Sequence, residues 1–401
     1  MKTFGRKAQG ARLERMRTSP LWDGEGFRNR HPVIAGLRDP RASMPTMHDF
    51  IWGGERRVPQ HPLPSVNPLA AWSRPAHSGL RATWLGHSTT LIEIEGWRVL
   101  TDPVWGQRAS PFTLMGPRRF QPVPVSLAQL PALDVVVISH DHYDHLDYPT
   151  IRALARRGVP FVTSLGVGAH LESWGVAPEL ITELDWWESH TVPNTGLSVT
   201  AAPSQHFSGR SFGTRNSTLW SSFVLRAEHQ AVFFSGDTGL TTEYQRIREC
   251  LGPFDLVMLE VGAFHPGWGD MHLGPGNALK ALELLGGGAF LPVHWGTFSL
   301  AMHAWDEPAE TLLRLAGNVD APLLLPRLGE AVEPIIADKV DPWWRRVDSD
   351  GGIPARQVKI PRGAASSGGS ELFDQASPGA DLHSSAMRHG RQTTNLHIQI
   401  P

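Results

Sequence analysis

The chain is 401 residues long, and its 41% hydrophobic and 19% charged residues are typical of a globular protein with one large domain plus extensions, or with two domains. Its formal net charge of -2 excludes the global basic field that nucleic-acid-binding proteins carry. Its one cysteine, Cys250, excludes an internal disulfide and a thiolate metal cluster, so a metal site would have to use carboxylates and some of the 19 histidines.

Residues 1–78 are rich in Pro, Arg and Gly and show little periodicity, so they are predicted to form an irregular extension that lies on the core. The basic N-terminal segment is not followed by the apolar stretch that a secretory signal requires, and no run of about 18 apolar residues could span a membrane. We therefore expect a cytoplasmic protein. The basic segment is either a peripheral contact with anionic lipid or a solvated terminus.

Short strand-like runs begin at Ala82 and are separated by Gly and polar turns. Residues 134–140, DVVVISH, form the continuous apolar run expected of a strand that is buried on both faces. Further strands are predicted at 161–164, 197–203, 221–226, 231–237, 256–262 and 289–295. Helices are predicted at 149–157, 241–251, 275–286 and 307–316. Because strands alternate with helices and also follow one another directly, the sequence predicts an α/β (α+β) protein with an αββα sandwich.

The regular pattern fades after Pro334. Residues 351–401 contain GG, AASSGGS and scattered polar residues, which is a composition typical of disorder. A C-terminal extension is therefore predicted at 336–401, disordered from about residue 351.

The strongest chemical signal is the segment HDHYDH, directly after the predicted strand at 134–140. It places His140, His142, Asp144 and His145 within six residues at the end of a strand. Residues 140 and 142 can point one way, and the turn then presents 144 and 145 on another side. One tetrahedral metal ion could not easily use all four, whereas two adjacent ions could.

Three more candidate ligands stand where predicted strands end. His206 follows LSVTAAPSQ, Asp237 follows AVFFSG and His294 follows AFLPV. Strands fix the positions of such residues, and a site on the rim of a sheet requires this. Each residue alone also has a structural interpretation, as a loop histidine, a turn cap and a core histidine respectively.

The motifs resemble a known family. HDHYDH matches the HxHxDH signature of the metallo-β-lactamase superfamily, and SGD at Asp237 and the strand-end His294 match its later motifs. The segments TWLGHST, LTDPVW, APSQHFSGR, FFSGDTG, FDLVMLEVGAF and VHWGTF look like the branch of N-acyl-phosphatidylethanolamine phospholipase D. A lactonase acting on L-ascorbate 6-phosphate is a more distant relative. The resemblance covers about residues 80–335, and it implies a metallo-β-lactamase-like hydrolase domain at 79–335.

The resemblance implies a division of labour among the ligands. Two divalent ions would be held, zinc as the first choice, with manganese or iron accepted by the same donors. The first ion would be bound by His140, His142 and His206, the second by Asp144, His145 and His294, and both by Asp237.

Three residues have roles beyond direct metal binding, which come from the resemblance for Asp102 and His272 and from the expected mechanism for Asp144. Asp102, in LTDP, would orient a ligand, although it is also read as a turn residue before Pro103. Asp144 would also help to move the proton of the nucleophile. His272, in GDMHLGP, would contact the leaving group or a substrate phosphate, or is an ordinary loop histidine. His87 and Arg210 are weaker candidates, and Arg210 suits either a phosphate or a structural ion pair.

These assignments predict a metal-dependent hydrolase whose two ions make hydroxide available as the nucleophile at neutral pH. The favoured substrate is a phosphodiester in an N-acyl-phosphatidylethanolamine-like lipid. The alternatives are a lactone, a soluble phosphodiester, or a non-catalytic regulatory protein. Membrane contact is also suggested by Trp105, Trp186, Trp187 and Trp268, which lie in loop-like segments. The oligomeric state stays open, with a homodimer among the alternatives.

Overall fold

A computed structural model of the chain describes residues 2–31, 48, 55–265, 271–318, 322–336 and 340–347. Trp268 and the C-terminal segment predicted to be disordered from about residue 351 lie outside the described residues.

Two mixed β-sheets form the centre of the fold. Within the described residues, the first has seven strands in the order β13-β1-β2-β3-β4-β5-β6. Its strands are β1 (Leu80–Gly86), β2 (Thr89–Ile94), β3 (Trp97–Thr101), β4 (Val135–Ile138), β5 (Phe161–Ser164), β6 (Ile181–Leu184) and β13 (Ala331–Val332). Strands β3 to β6 are parallel, whereas β13, β1, β2 and β3 pair antiparallel.

The second sheet, in the part of the chain that the structure describes, has six strands in the order β12-β11-β10-β9-β8-β7. Its strands are β7 (Ser189–Thr191), β8 (Ser198–Ala202), β9 (Ser222–Arg226), β10 (Ala231–Phe234), β11 (Leu256–Glu260) and β12 (Ala289–Val293). Strands β10, β11 and β12 are parallel to one another, and the rest pair antiparallel.

Helices cover the outer faces of both sheets. The α-helices are α1 (Gly10–Arg17), α2 (Leu69–Trp72), α3 (Tyr148–Ala155), α4 (Gly168–Ser173), α5 (Glu243–Leu251), α6 (Gly274–Leu284) and α7 (Glu307–Leu315). Short 3-10 helices lie at Lys2–Phe4, Leu127–Gln129, Pro178–Leu180, Ala316–Asn318, Pro334–Ile336 and Trp343–Arg346. None of the described helices is both long and apolar enough to cross a bilayer.

Strand β4 shows why the layers form. Val135 and Val137 belong to the core that joins the two sheets, whereas Val136 and Ile138 belong to a separate core shared with α3 and α4. Successive side chains of a strand point to opposite faces, so an unbroken apolar run is buried on both. The predicted αββα sandwich is confirmed.

The N-terminal region contains more structure than its sequence pattern indicates. Helix α1 places Met16 in a small core with Leu165 and Trp220. Arg12 forms ion pairs with Glu172 and Glu183, at 2.6 Å each. These contacts are between residues far apart in sequence, so no local periodicity could reveal them. The basic segment is therefore held against the body of the fold.

The C-terminal end of the described chain also packs on the core, beyond the boundary predicted at residue 335. Trp343 and Trp344 are buried and lie against Trp295, with ring centroids at 5.8 and 6.0 Å. Trp295 in turn stacks on Trp84 at 5.4 Å. This group of four, the tryptophan cluster, lies behind the loop that follows β12.

Candidate metal centre

The candidate ligands gather where strands of both sheets end. The HDHYDH segment follows β4 in the first sheet, and His206, Asp237 and His294 follow β8, β10 and β12 in the second. All seven residues predicted as ligands come together in two adjoining groups of donors. Within each group the potential ligand atoms lie within 4.8 Å of one another.

The first donor group contains His140, His142, His206 and Asp237. The Nδ1 atom of His142 lies 2.9 Å from Nε2 of His140 and 3.3 Å from Nε2 of His206. The Oδ2 atom of Asp237 lies 3.8 Å from Nε2 of His140 and 3.6 Å from Nε2 of His206. Four donors therefore converge from three loops.

The second donor group contains Asp144, His145 and His294, together with His87. The Oδ2 atom of Asp144 lies 3.5 Å from Nε2 of His145 and 3.3 Å from Nε2 of His294. Nε2 of His87 lies 2.9 Å from the same oxygen. His87 is thus closer to the centre than its weak sequence signal indicates.

Asp237 faces both groups. Its Oδ1 atom lies 3.2 Å from Nε2 of His145, and its Oδ2 atom lies 3.2 Å from Nε2 of His294 as well as near the first group. Among the described residues, Asp237 Oδ1, His145 Nε2 and His294 Nε2 are buried without a hydrogen-bond partner. Ligand atoms around a tetrahedral zinc ion are separated by about 3.3 Å. Metal binding would therefore satisfy these atoms with little movement.

One buried carboxyl group orients a histidine of each donor group. The Nδ1–H of His145 donates to Oδ2 of Asp102 at 2.7 Å. Ser139 donates to the same carboxyl group through its backbone N–H at 2.7 Å and its hydroxyl at 2.5 Å. Because that hydroxyl is used as a donor, it accepts from Nδ1–H of His140 at 2.9 Å. In their neutral forms, both histidines therefore carry the proton on Nδ1, and Nε2 is the lone-pair atom that faces the centre.

Glu260 is a functional candidate that the sequence reasoning missed. It is fully buried at the end of β11, and it accepts hydrogen bonds from Nδ1 of His272 at 2.7 Å and from the Thr238 N–H at 2.8 Å. With Asp237, His272 and His294 it forms a third group of donors. The sequence does contain an indication of this role, because Glu260 is the one charged residue in the run LVMLEVG and stands at a strand end.

Three residues of the centre have a strained backbone. His87, Asp102 and His294 have φ values of 54°, 33° and 65°, in a region that residues other than glycine rarely adopt. At His294 the conformation also requires a glycine at residue 262, because a Cβ atom on Gly262 would lie 2.1 Å from the carbonyl oxygen of His294. Strain of this kind is stored where surrounding packing fixes a functional geometry.

The centre is partly open to solvent, and only on one side. The side chains of Asp144 and His272 are each 14% exposed, and His142 is half-buried. His140, His206 and His294 are buried. A substrate would therefore meet Asp144, His272 and His142 first.

The electrostatics differ between the two donor groups. Burial lowers the pKa of His140 and of His206 well below the ordinary value, so both imidazoles are neutral, as metal ligands must be. Burial alone would also lower the pKa of His145 and His294, but the carboxylate of Asp237 and others nearby raise them, that of His294 to about 10. These carboxylates attract positive charge, which a bound cation would supply.

Arg210 has a structural role. Its buried guanidinium donates to the carbonyl oxygen of Leu146 at 2.9 Å and to that of Asp141, and it stacks on Tyr143. Its alternative role, pairing with a substrate phosphate, does not fit this burial. The side chain instead fixes the loop after His206 against the HDHYDH segment.

Two mixed sheets between helices, with His and Asp donors gathered where strands of both sheets end, define the metal-dependent hydrolases of the metallo-β-lactamase fold. A family profile described as the beta-lactamase superfamily domain matches residues 97–295. The chain belongs to this superfamily.

Within this superfamily, the chain is similar to several individual proteins. A protein of Mycobacterium tuberculosis, described as uncharacterized, is 47% identical over 331 residues, which are 82% of this chain and 88% of that protein. The N-acyl-phosphatidylethanolamine-hydrolyzing phospholipase D 1 of Caenorhabditis elegans is 35% identical over 272 residues, which are 65% of this chain and 76% of the worm protein. The crystal structure of an isothiocyanate hydrolase from Delia radicum gut bacteria shares the fold, with a TM-score of 0.51 and 21% identity over 63% of this chain and 98% of that chain.

Proposed function

We propose that this protein is a phosphodiesterase of the phospholipase D type that uses two divalent metal ions. The observation that carries the proposal is the position of Asp237, whose two carboxylate oxygens face two separate groups of His and Asp donors. Such a carboxylate is suited to bridge two ions. Zinc is the first choice because the donors are histidines and carboxylates, and manganese or iron would suit the same set.

When bound, the metal ions supply an activated water and polarise the substrate oxygen. His140, His142 and His206 would hold one ion, and Asp144, His145 and His294 the other. The proton transfers are assigned to side chains on the solvent-exposed side of the centre.

Asp144 and His272 are the residues that we expect to handle protons. Asp144 is suited to accept the proton that water loses as its oxygen attacks phosphorus. Burial alone would lower the pKa of His272, but Glu260 raises it, so the protonated imidazole is favoured. A protonated His272 can donate to the alkoxide oxygen as its bond to phosphorus breaks. The products are then an alcohol and a phosphomonoester.

The substrate class rests on the resemblance of this chain to the worm phospholipase D. For an N-acyl-phosphatidylethanolamine, the alcohol released is an N-acylethanolamine and the phosphomonoester is phosphatidic acid. Peripheral contact with a membrane and a cytoplasmic location stay predictions of the same proposal.

A substrate panel tests the proposal. The metal-loaded protein is given N-acyl-phosphatidylethanolamine in vesicles, bis(p-nitrophenyl) phosphate and acyl lactones, and products are identified by mass spectrometry. We expect the lipid to be the preferred substrate. Faster turnover of lactones than of both phosphodiesters would refute phosphodiester specificity, and faster turnover of the soluble diester would refute the lipid.

The matched variants are Asp144→Asn and Asp134→Asn. Asp144→Asn should abolish turnover. Asp134→Asn is the control and should leave turnover unchanged. Asp134 precedes β4, at the end of that strand opposite to the HDHYDH segment, and accepts a hydrogen bond from the Arg98 N–H at 2.7 Å. Activity of Asp144→Asn near that of the wild type would show that its role is misassigned.

A further inference from the structure

We infer that an exposed apolar surface beside the metal centre docks this protein onto an anionic lipid bilayer. The inference rests on the proposed function and deepens it, because it names the surface that meets the lipid. We call this surface the apolar rim and define it by Phe112, Leu114, Met115 and Phe212. The four residues lie on two loops, 106–120 and 208–217.

The side chains of the apolar rim are exposed to solvent. Leu114 is 85% exposed, Met115 is 67% exposed and Phe212 is fully exposed. Single exposed apolar residues need no explanation, but a group on neighbouring loops marks an interaction surface. Of the tryptophans predicted to contact a membrane, the three that the structure describes do not supply such a surface, since Trp186 is buried and Trp105 and Trp187 are half-buried.

The N-terminal segment joins the two loops into one surface. The ring of Phe4 contacts that of Phe112, with centroids 6.2 Å apart. The carbonyl oxygen of Thr3 accepts from Arg210 at 2.9 Å, and Lys7 Nζ donates to the carbonyl oxygen of Gly213 at 2.8 Å. Residues 3–7 span at most about 14 Å, so the loops lie side by side.

The loop that carries Leu114 and Met115 is held in place by hydrogen bonds within the loop itself. Arg108 donates from Nε to the carbonyl oxygen of Thr113 at 3.2 Å and from Nη1 to that of Gly116 at 2.6 Å. These two hydrogen bonds from one guanidinium group fix the conformation of the loop. The apolar tip is therefore presented to the exterior by a defined structure.

The charge of these segments favours an anionic partner. Residues 1–13, 103–133 and 189–227 contain neither Asp nor Glu. Lys2, Arg6 and Arg118 are exposed within them. Apolar side chains that enter the acyl region beside cations that reach lipid phosphates are the usual pattern of peripheral membrane binding. A second protein copy would need acidic groups to match these cations, and the surface does not provide them.

Both loops are connected to the metal centre. The hydroxyl of Tyr143, in the HDHYDH segment, donates to the carbonyl oxygen of Arg210 at 2.6 Å. Phe120 donates its N–H to the carbonyl oxygen of Thr297 at 2.9 Å, and Thr297 accepts from the N–H of His87 at 2.6 Å. A bilayer on the apolar rim would thus place headgroup phosphates near the ligands.

The test measures lipid binding apart from catalysis. Metal-loaded, full-length protein is sedimented with vesicles of phosphatidylcholine alone and of phosphatidylcholine mixed with phosphatidylglycerol. The rim variants are Leu114→Ser/Met115→Ser and Phe212→Ser, and the charge variant is Arg118→Ala. Each is also assayed on bis(p-nitrophenyl) phosphate, and its sedimentation velocity reports oligomeric state.

The matched control is Ile335→Ser/Ile336→Ser. These side chains are also exposed, at 83% and 53%. They follow Glu333, which accepts from the N–H groups of His77 and Ser78 before β1 begins. That end of β1 is about 20 Å from the end that leads to His87.

We expect the wild type and the control to bind mixed vesicles, and the rim variants to partition at least about ten-fold less, with unchanged turnover of the soluble diester. Arg118→Ala should weaken binding about five-fold. Failure of the wild type to bind mixed vesicles, equal binding by rim variants, or rim-dependent dimers would overturn the inference. The proposed function is tested separately, by hydrolysis of the soluble diester and of detergent-dispersed N-acyl lipid, neither of which requires binding to a bilayer.

Discussion

Replacing Asp102 by Asn tests whether one carboxyl group orients both halves of the metal centre. The amide oxygen can replace one carboxyl oxygen and accept from the Ser139 N–H. The amide N–H group must then face Nδ1 of His145, where a carboxyl oxygen now accepts at 2.7 Å. Two donors cannot hydrogen-bond to each other, so the neutral form of His145 would carry its proton on Nε2, the atom that faces Asp237. That proton would block coordination.

The size of the effect follows from the bonds that are lost. A hydrogen bond to a charged group contributes about 1.5–3 kcal/mol, and each 1.4 kcal/mol is about a ten-fold change in an equilibrium constant. The Ser139 hydroxyl, which links Asp102 to His140, also loses its acceptor. We therefore expect metal affinity to fall by about 10–100-fold, the range found when groups that orient metal-binding histidines are removed.

Competition with a chromophoric chelator measures the affinity of each site, and elemental analysis gives the stoichiometry. Circular dichroism of the metal-free proteins shows whether the fold is retained. Asp134→Asn is the control, because it makes the same chemical change at the opposite end of β4. Wild-type affinity in Asp102→Asn, or equal loss in Asp134→Asn, would refute the reasoning.

Three further predictions follow from the geometry. Asp237→Ala should reduce bound metal from about two ions per chain to one or fewer, since both donor groups lose a ligand; two tightly bound ions by elemental analysis would contradict this. Trp344→Ala should lower the free energy of unfolding by about 3–5 kcal/mol in urea titrations, because the indole is buried, and a change below about 1 kcal/mol would exclude the tryptophan cluster as a structural element. With their pKa values raised, that of His294 to about 10, His145 and His294 are protonated at pH 7 in the metal-free site, whereas metal ligands must be neutral. Metal binding should therefore release protons and weaken as pH falls, and calorimetry in buffers of different ionisation enthalpy that detects no release would contradict this.

The sequence was informative wherever short-range pattern decided the structure. Strand β5 was predicted at its observed bounds, and the apolar run before His140 predicted a strand buried on both faces. The spacing of the HDHYDH segment anticipated two donor groups. Asp102 was left between two interpretations, and the structure supports both, since it precedes Pro103 and accepts from His145.

Other features depend on partners that are distant in the chain. Helix α1 buries Met16 alone among its residues, so its sequence has no apolar stripe to detect. Arg210 could be assigned only when the carbonyl groups around it were known. Glu260 was read as part of an apolar strand, and its importance depends on His272 lying beside it.

The tryptophan cluster has a consequence for how the protein matures in the cell. The donors extend from residue 87 to residue 294, and Trp343 and Trp344 pack against Trp295, the neighbour of the last donor. A chain emerging from the ribosome N-terminus first therefore exposes a partial set of imidazoles until residue 294 has emerged. We expect firm retention of metal only after Trp343 and Trp344 have packed against Trp295. Metal acquisition is thus expected to follow the emergence of Trp343 and Trp344 from the ribosome.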